Sequence, residues 1–351
     1  MSKKEFDIFV PGRLCLFGEH SDWAGGHRRQ NSEIEKGYAI VAPTNQGNYA
    51  RVKRLDEPLF RFVSEPIGKS LEAKMESGKL REIAEEGKIF SYAAGVACEI
   101  ISSYEQFKGN GGLEIINYKT NLPIKKGLSS SASICVLVAK AFNQIYDLGF
   151  TNRRIMELAY LGETTTPSRC GKLDQACAYE VPVLMTFDSD QIKVEKLKLG
   201  GNFYFLIVDL NKGKDTTRIL SDLNEGFPWP RSEIEIRKHE YFKLNKKIVE
   251  EAKDAFEEGN LSKLGEIMRC SQQYFDDYLA PSCEELKAPA LHSLLNSKDI
   301  APFIFGGKGV GSGGDGTAQL LCKSSRDKQN VKRILAERGL NSMELSLKKK
   351  E

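Results

Sequence analysis

Apolar residues recur at helical intervals between Ile134 and Ile145, where Ile134, Leu137, Val138, Ala141, Phe142 and Ile145 form one stripe. That spacing predicts a helix packed along one face, with Gly149 as its stop. A second helix is predicted over 152–162, where Ile155, Leu158 and Ala159 share a face. Helical spacing also runs over 89–103, over the charged stretch 231–257 and over 286–296. Elsewhere the apolar runs are short and strand-like: 6–17 with a Pro-Gly break, 38–42, 48–53, 113–119, 203–210 and 317–323. The last of these follows a glycine-rich stretch at 306–316. The closing Lys348-Lys349-Lys350-Glu351 predicts a solvated, frayed tail. No internal repeat or low-complexity linker interrupts the pattern, and a domain seam is expected near residue 190.

Length and composition narrow this picture. The 351 residues are long for one core and comfortable for two domains. A net charge of +3 gives no global case for a nucleic-acid partner. The eight cysteines are scattered without a C-x-x-C pair, which predicts reduced thiols, and the four histidines show no zinc-ligand spacing beside them. No apolar run approaches 18 residues and MSKKEFDIF lacks a signal core, so the expectation is a cytoplasmic protein with no membrane partner.

Four segments carry candidate chemistry. In Gly127-Leu128-Ser129-Ser130-Ser131-Ala132-Ser133 a glycine and three serines precede the strong helix. A helix start has unpaired N–H groups and partial positive charge, so the run reads as an anion cradle or, more simply, as a serine cap. Leu122-Pro123 sets an extended approach to it. The cluster GGKGVGSGGDG contains G-x-G-x-x-G at Gly311, Gly313 and Gly316, but a strand-like run follows where a dinucleotide site needs a helix. A glycine turn or a backbone wall beside a phosphate suits it better. No P-loop pattern is present. The loop holding Arg13, Glu19, His20 and Asp22 fits polyol recognition or a solvated turn. Glu163 and Asp174 flank a Thr-Pro-Ser-Arg-Cys-Gly loop, where one carboxylate could bind metal and the other accept a proton.

In this order the segments resemble the galacto-, homoserine, mevalonate and phosphomevalonate kinase (GHMP) family. PGRLCLFGEHSDWAGG is similar to the galactokinase signature, LPIKKGLSSSAS to the phosphate loop, CGKLDQ to the stretch with the catalytic aspartate, and KGVGSGGDGTAQLL to the third, glycine-rich motif. FSYAAGV at 90–96 and SCEEL at 282–286 are also galactokinase-like, so the resemblance covers nearly the whole chain. It implies an α+β fold of two mixed α/β domains, 1–193 and 194–351, with the active site in the cleft between them. It also implies an ATP-dependent kinase using Mg2+ that phosphorylates a sugar, foremost the anomeric hydroxyl of galactose or a related monosaccharide. A monomer or weak homodimer is expected.

Carried onto this chain, the resemblance makes Asp174 the base or charge partner for the attacking hydroxyl and puts Arg13 beside it, favouring its ionised form. Ser131 and Glu163 would hold magnesium. Gly127, Leu128, Ser129, Ser130 and Ala132 would wrap the phosphates, with Gly309, Gly311, Gly313 and Gly314 shaping the floor and Tyr92 bordering the adenine. Glu19, His20 and Asp22 would bind sugar hydroxyls, and Trp23 would offer a ring to a sugar face. Two places depart from the family. Trp23-Ala24-Gly25-Gly26 and then His27-Arg28-Arg29-Gln30-Asn31 stand where galactokinases have Tyr-Asn-Gly-Gly and an apolar run, and Ser312 and Asp315 replace apolar, aromatic or cysteine residues. Arg28 and Arg29 could meet an anionic substrate group or face water, and water is the favoured reading. Competing readings are a kinase for another alcohol (a uronic acid, a cyclitol or a mevalonate-like acid) and a non-catalytic sugar sensor. Intact Ser131-Ala132, Glu163 and Asp174 argue against the sensor.

Overall fold

The computed structural model describes residues 5–104, 107, 111–122, 127–168 and 170–349. Pro123, Lys125, Lys126 and Arg169, which belong to two of the segments above, lie outside these residues. The chain parts into two compact units, one comprising Met1–Arg13 with Pro43–Glu180, the other Leu14–Ala42 with Val181–Glu351. The strands β1 (Glu5–Phe17) and β2 (Gly37–Leu55) each begin in one unit and end in the other. The sequence suggested one seam. By contact, residues 14–42 and 181–193 group with the second unit. The reason is bonding: Gln319 donates to the carbonyls of Cys15 and Leu16, and Asn245 donates to Ser21 and to the Tyr38 carbonyl. Between these strands lies a short helix, α1 (Ser21–Gly26).

The first unit joins β3 (Leu59–Ser64), β4 (Lys69–Lys74) and β5 (Gly112–Thr120) to the later part of β2 in the order β4-β3-β5-β2. Its helices are α2 (Ser77–Glu85), α3 (Ser91–Ser103), α4 (Ser130–Tyr146) and α5 (Asn152–Thr164). The stripe read on α4 understates its burial: Cys135, Val136, Leu137, Val138, Ala139, Ala141 and Phe142 are all buried, so most of its circumference faces protein. Its stop is also earlier than Gly149. Asp147 takes a left-handed backbone, φ 52°, and its N–H bonds the Asn143 carbonyl. Helices α3 and α5 approach closely through Gly95 and Gly162; a Cβ on Gly95 would lie 2.1 Å from the Gly162 oxygen.

The second unit holds the hairpin of β6 (Val183–Asp188) and β7 (Gln191–Lys196), with β6 antiparallel to Gly37–Val41 of β2. Its other sheet is antiparallel, β11-β8-β10-β9, made from β8 (Phe203–Asp209), β9 (Ile304–Gly309), β10 (Thr317–Cys322) and β11 (Ser342–Leu347). β11 shows that most of the segment before the predicted frayed tail is paired, since Leu345 and Leu347 are buried. The helices are α6 (Thr216–Asn224), α7 (Glu233–Glu258), α8 (Leu261–Tyr274), α9 (Pro289–Leu295) and α10 (Ser325–Glu337). α7 starts at a Ser232–Glu235 capping box. Leu206, Val208, Leu291, Leu320, Val331 and Leu335 form the core between this sheet and α9 and α10.

Part of the glycine-rich stretch is strand rather than turn. A Cβ on Gly306 would lie 2.2 Å from the Gly265 oxygen, and one on Gly265 would lie 2.5 Å from Phe305, so α8 packs directly on β9. Gly306→Ala is therefore expected to destabilise the protein by about 1–3 kcal/mol through overpacking, read as a lower urea midpoint at unchanged slope. A wild-type midpoint would show that α8 can move off the strand. Gly311, Gly313 and Gly314 have φ of 69°, 85° and 70° and turn the chain from β9 into β10. Strands flank the G-x-G-x-x-G on both sides, which excludes the dinucleotide geometry.

Candidate active site

The site of the first unit is built where α4 begins. Ser129 stands at the N-cap position in a left-handed conformation, φ 54°, and its side chain makes no cap bond. Its hydroxyl instead donates to Asp174 Oδ1 at 3.0 Å. Ser129 therefore does not cap α4, and among the described residues its side chain leaves the first N–H groups of the helix free for an anion. Leu128 is buried, so it offers backbone rather than side chain, and Gly127 has a φ of 72°. Ser133, the last of the run, turns inward. It donates to the Val10 carbonyl at 3.1 Å and accepts from Asn48 at 2.9 Å, fastening α4 to β1 and β2 instead of facing a phosphate.

Arg13 closes the other side. Its Nη2 donates to Asp174 Oδ1, its Nη1 reaches the Gly127 carbonyl at 3.3 Å, and its backbone N–H bonds the Leu128 carbonyl at 3.1 Å. The predicted pair Arg13 and Asp174 is thus in direct contact, and both touch the phosphate run. Asp174 opens a short 3-10 helix, Asp174–Tyr179, and keeps 23% of its side chain exposed, enough to meet a small reactant.

Glu163, near the end of α5, is 1% exposed. Burial pushes its carboxyl up from the ordinary 4.5, and the like charge of Asp174 adds to this, while hydrogen bonds from Ser131, Gln175 and Cys170 oppose it. Ser131 and Glu163, the two expected magnesium ligands, are therefore hydrogen-bonded neighbours. Gln175 donates to Glu163 at 2.9 Å, and its own buried Oε1 finds no hydrogen-bond partner among the described residues. This set of hard oxygens around an under-compensated carboxylate fits Mg2+, which usually takes few protein ligands and completes its shell with phosphates and water.

The raised Glu163 value has a stability consequence. At low pH the carboxyl is protonated in both states; above 4.5 the folded protein holds the proton longer than the unfolded chain does. Stability from this group thus falls as pH rises through the raised value. Glu163→Gln should have a higher Tm than wild type at pH 7.5 in EDTA, with the gap closing towards pH 5. A gap independent of pH would assign the effect to packing.

In the second unit the loop holding Glu19 and His20 meets the glycine turn. Glu19 Oε1 accepts from Lys308 Nζ at 2.5 Å, and both side chains are about 95% buried, at 5% and 4% exposure. Lys308 also donates to the Gly309 carbonyl at 3.0 Å. Lys214 donates to the Gly313 carbonyl at 2.5 Å, and burial brings its ammonium down to about 8 despite the nearby Glu19 charge. Glu19, Lys308, Gln272, Phe275, Gly311 and Gly313 are among the residues lining a small surface pocket. Gln272 accepts from the Gly309 N–H at 2.7 Å and donates to Asp276 at 2.8 Å, and Asp276 meets His292 at 3.0 Å.

The other loop residues are less available. His20 Nδ1 accepts from the Trp23 indole at 3.1 Å, and Nε2 faces the Ser312 carbonyl at 3.3 Å, which assigns the proton to Nε2. Burial lowers its pKa to about 4, so the ring is neutral at pH 7. Both nitrogens are engaged internally. Trp23, half-buried, meets Phe227 at 5.2 Å and Phe242 at 5.7 Å in T-shaped contacts. Asp22 is half-buried in the first turn of α1, and Tyr92 is half-buried in the first turn of α3.

Arg28 does not face open water. It bonds Asp188 at 2.7 Å and the carbonyls of Ser32 and Ile34. Arg29, 59% exposed, pairs with Asp190 at 3.1 Å. The sequence reading missed Lys214, Lys308 and Gln272, whereas Gln175 belonged to a stretch it singled out. A lysine between glycines in Gly307-Lys308-Gly309 was a usable signal, but its partner lies 289 residues away.

Residues 91–180 match the family described as GHMP kinases N terminal domain. The galactokinase of Pasteurella multocida (strain Pm70) is 24% identical over 94% of this chain and 88% of its own length. Among solved structures, the mevalonate kinase of Methanococcus jannaschii superposes with a TM-score of 0.76 at 21% identity, covering 98% of both chains. A Lactococcus lactis galactokinase complexed with galactose gives 0.72 at 19%, covering 99% of this chain and 94% of that one. The fold is that of the GHMP kinases, with mixed helices and sheets.

Proposed function

We propose that this chain, galactokinase-like in sequence and carrying a GHMP kinase N-terminal domain, is an ATP-dependent kinase that phosphorylates a sugar hydroxyl, foremost the anomeric hydroxyl of galactose or a related monosaccharide. One observation carries the reading: Asp174 is held by Arg13 and Ser129 at the uncapped start of α4, beside the Ser131–Glu163 pair. Phosphoryl transfer demands alignment and charge neutralisation more than covalent chemistry, and this arrangement offers both.

In the proposed reaction the substrate hydroxyl attacks the γ-phosphorus, the bond from phosphorus to the β–γ bridging oxygen breaks, and ADP leaves. Asp174 takes the hydroxyl proton. Arg13 fixes the carboxylate and neutralises charge on the transferred group. The N–H groups of α4 hold phosphate oxygens. Ser131 and Glu163 would hold Mg2+, which when bound neutralises charge on the phosphates. Glu19 and Asp22 would serve the sugar, with His20 and Trp23 positioning the loop through their mutual bond. The glycine turn at 309–314 would shape the wall of the substrate pocket.

The test is ADP release across a panel of monosaccharides, uronic acids, cyclitols and mevalonate, with the product hydroxyl located by NMR. Sugar-dependent turnover supports the proposal. Turnover confined to a cyclitol or mevalonate assigns the chain to another alcohol, and saturable sugar binding without turnover makes it a sensor.

A further inference from the structure

We propose that the pocket of the second unit recognises an acidic group on the sugar, a carboxylate or a phosphate, through Lys214 and Lys308. This rests on the kinase reading above and narrows its substrate class.

The argument begins with charge. Around Glu19 stand two ammonium groups, Lys308 in contact and Lys214 close enough to feel its charge, while His20 is neutral. Other carboxylates near the turn are directed elsewhere. Asp315 accepts from the Leu291 N–H at 2.9 Å, Asp276 is held by Gln272 and His292, and Glu285 accepts from the Asp215 N–H at 3.3 Å. Lys308 lines the pocket together with Phe275, and Lys214 stands against the Gly313 and Gly316 backbone at its edge, so the surroundings of Glu19 carry a surplus of positive charge.

Donor counting points the same way. An ammonium has three donors. Lys308 directs two of its donors at Glu19 and Gly309, and Lys214 directs one at Gly313. The turn is shaped to let the second lysine in: a Cβ on Gly316 would lie 2.9 Å from Lys214 Cε and 3.1 Å from its Nζ. The burial that lowers the Lys214 pKa to about 8 is a cost that a bound anion would relieve. A neutral sugar gains less here, because Glu19 Oε1, the acceptor suited to a hydroxyl, already holds Lys308. Arg28 and Arg29, the other candidates for this task, are bound to Asp188 and Asp190.

Titration calorimetry on the full chain tests this without relying on turnover. The probes are galactose, galacturonate and galactose 6-phosphate. At least one acid should bind 10-fold or more tighter than galactose, the arm that does so identifying carboxylate or phosphate. Lys214→Met should weaken that acid by roughly 10- to 100-fold, the range of one charge-assisted hydrogen bond, and bring its ratio to galactose near one. Lys214→Arg should keep the preference. Galactose binding as tightly as both acids overturns the inference, as does the failure of both acids to bind. An unchanged ratio in Lys214→Met makes the lysine a clamp on the glycine turn. Should that variant not fold, the wild-type ratio alone decides. Acid binding without phosphoryl transfer would sink the kinase reading and leave this one standing.

Discussion

Asp174→Asn is expected to leave ATP binding intact and to lower kcat by roughly two or more orders of magnitude, the usual scale for losing a general base. The substitution keeps size and shape. An amide oxygen can still accept from Arg13 and Ser129, so the start of α4 stays in place. What it cannot do is take a proton from the attacking hydroxyl. Steady-state ADP release gives kcat, and nucleotide titration gives the affinity. A fall in kcat with unchanged nucleotide affinity places the loss in the chemical step. Near-normal turnover would remove Asp174 from the role of base, and a parallel loss of ATP affinity would make it a support for the phosphate run.

Lys308→Met should destabilise the protein by about 3–5 kcal/mol, the range for stranding one member of a buried ion pair. Glu19 and Lys308 are 5% and 4% exposed, so neither can turn to solvent without moving β9 or the loop before α1. Lys214 acts on Glu19 as well, which offsets part of the loss. The partner variant Glu19→Gln/Lys308→Met removes the stranded charge and should recover most of the stability in urea unfolding. A double variant as unstable as the single one would mean that Lys308 acts through packing rather than charge.

Much of the local structure was legible. The spacing from Ile134 to Ile145 announced α4, and FYFLIVDL announced β8, because periodicity and β-branched content are properties of a few neighbouring residues. The helices α1, α2, α6, α8 and α10 and the strands β3, β4, β6, β7, β9 and β11 were missed. In α8, Gly265 replaces an apolar contact with direct backbone packing, so its buried face shows fewer large side chains than its burial would suggest.

The chemistry-bearing segments divide in the same way. The sequence by itself determined the residue types and their order: a glycine-serine run before a long helix, Glu163 and Asp174 eleven positions apart, and a late glycine turn. These suffice for the family resemblance, because short motifs encode backbone shape and donor groups locally. Only the tertiary structure decided which serines face the site. Ser129 bonds Asp174 while Ser133, four residues on, is buried against Val10, and that choice depends on β1. Only the tertiary structure joined His20 and Trp23 through a hydrogen bond and set Trp23 against a buried cluster. It also brought Lys308 to Glu19 across 289 residues. Ion pairing and desolvation depend on neighbours in space, and no spacing along the chain records them.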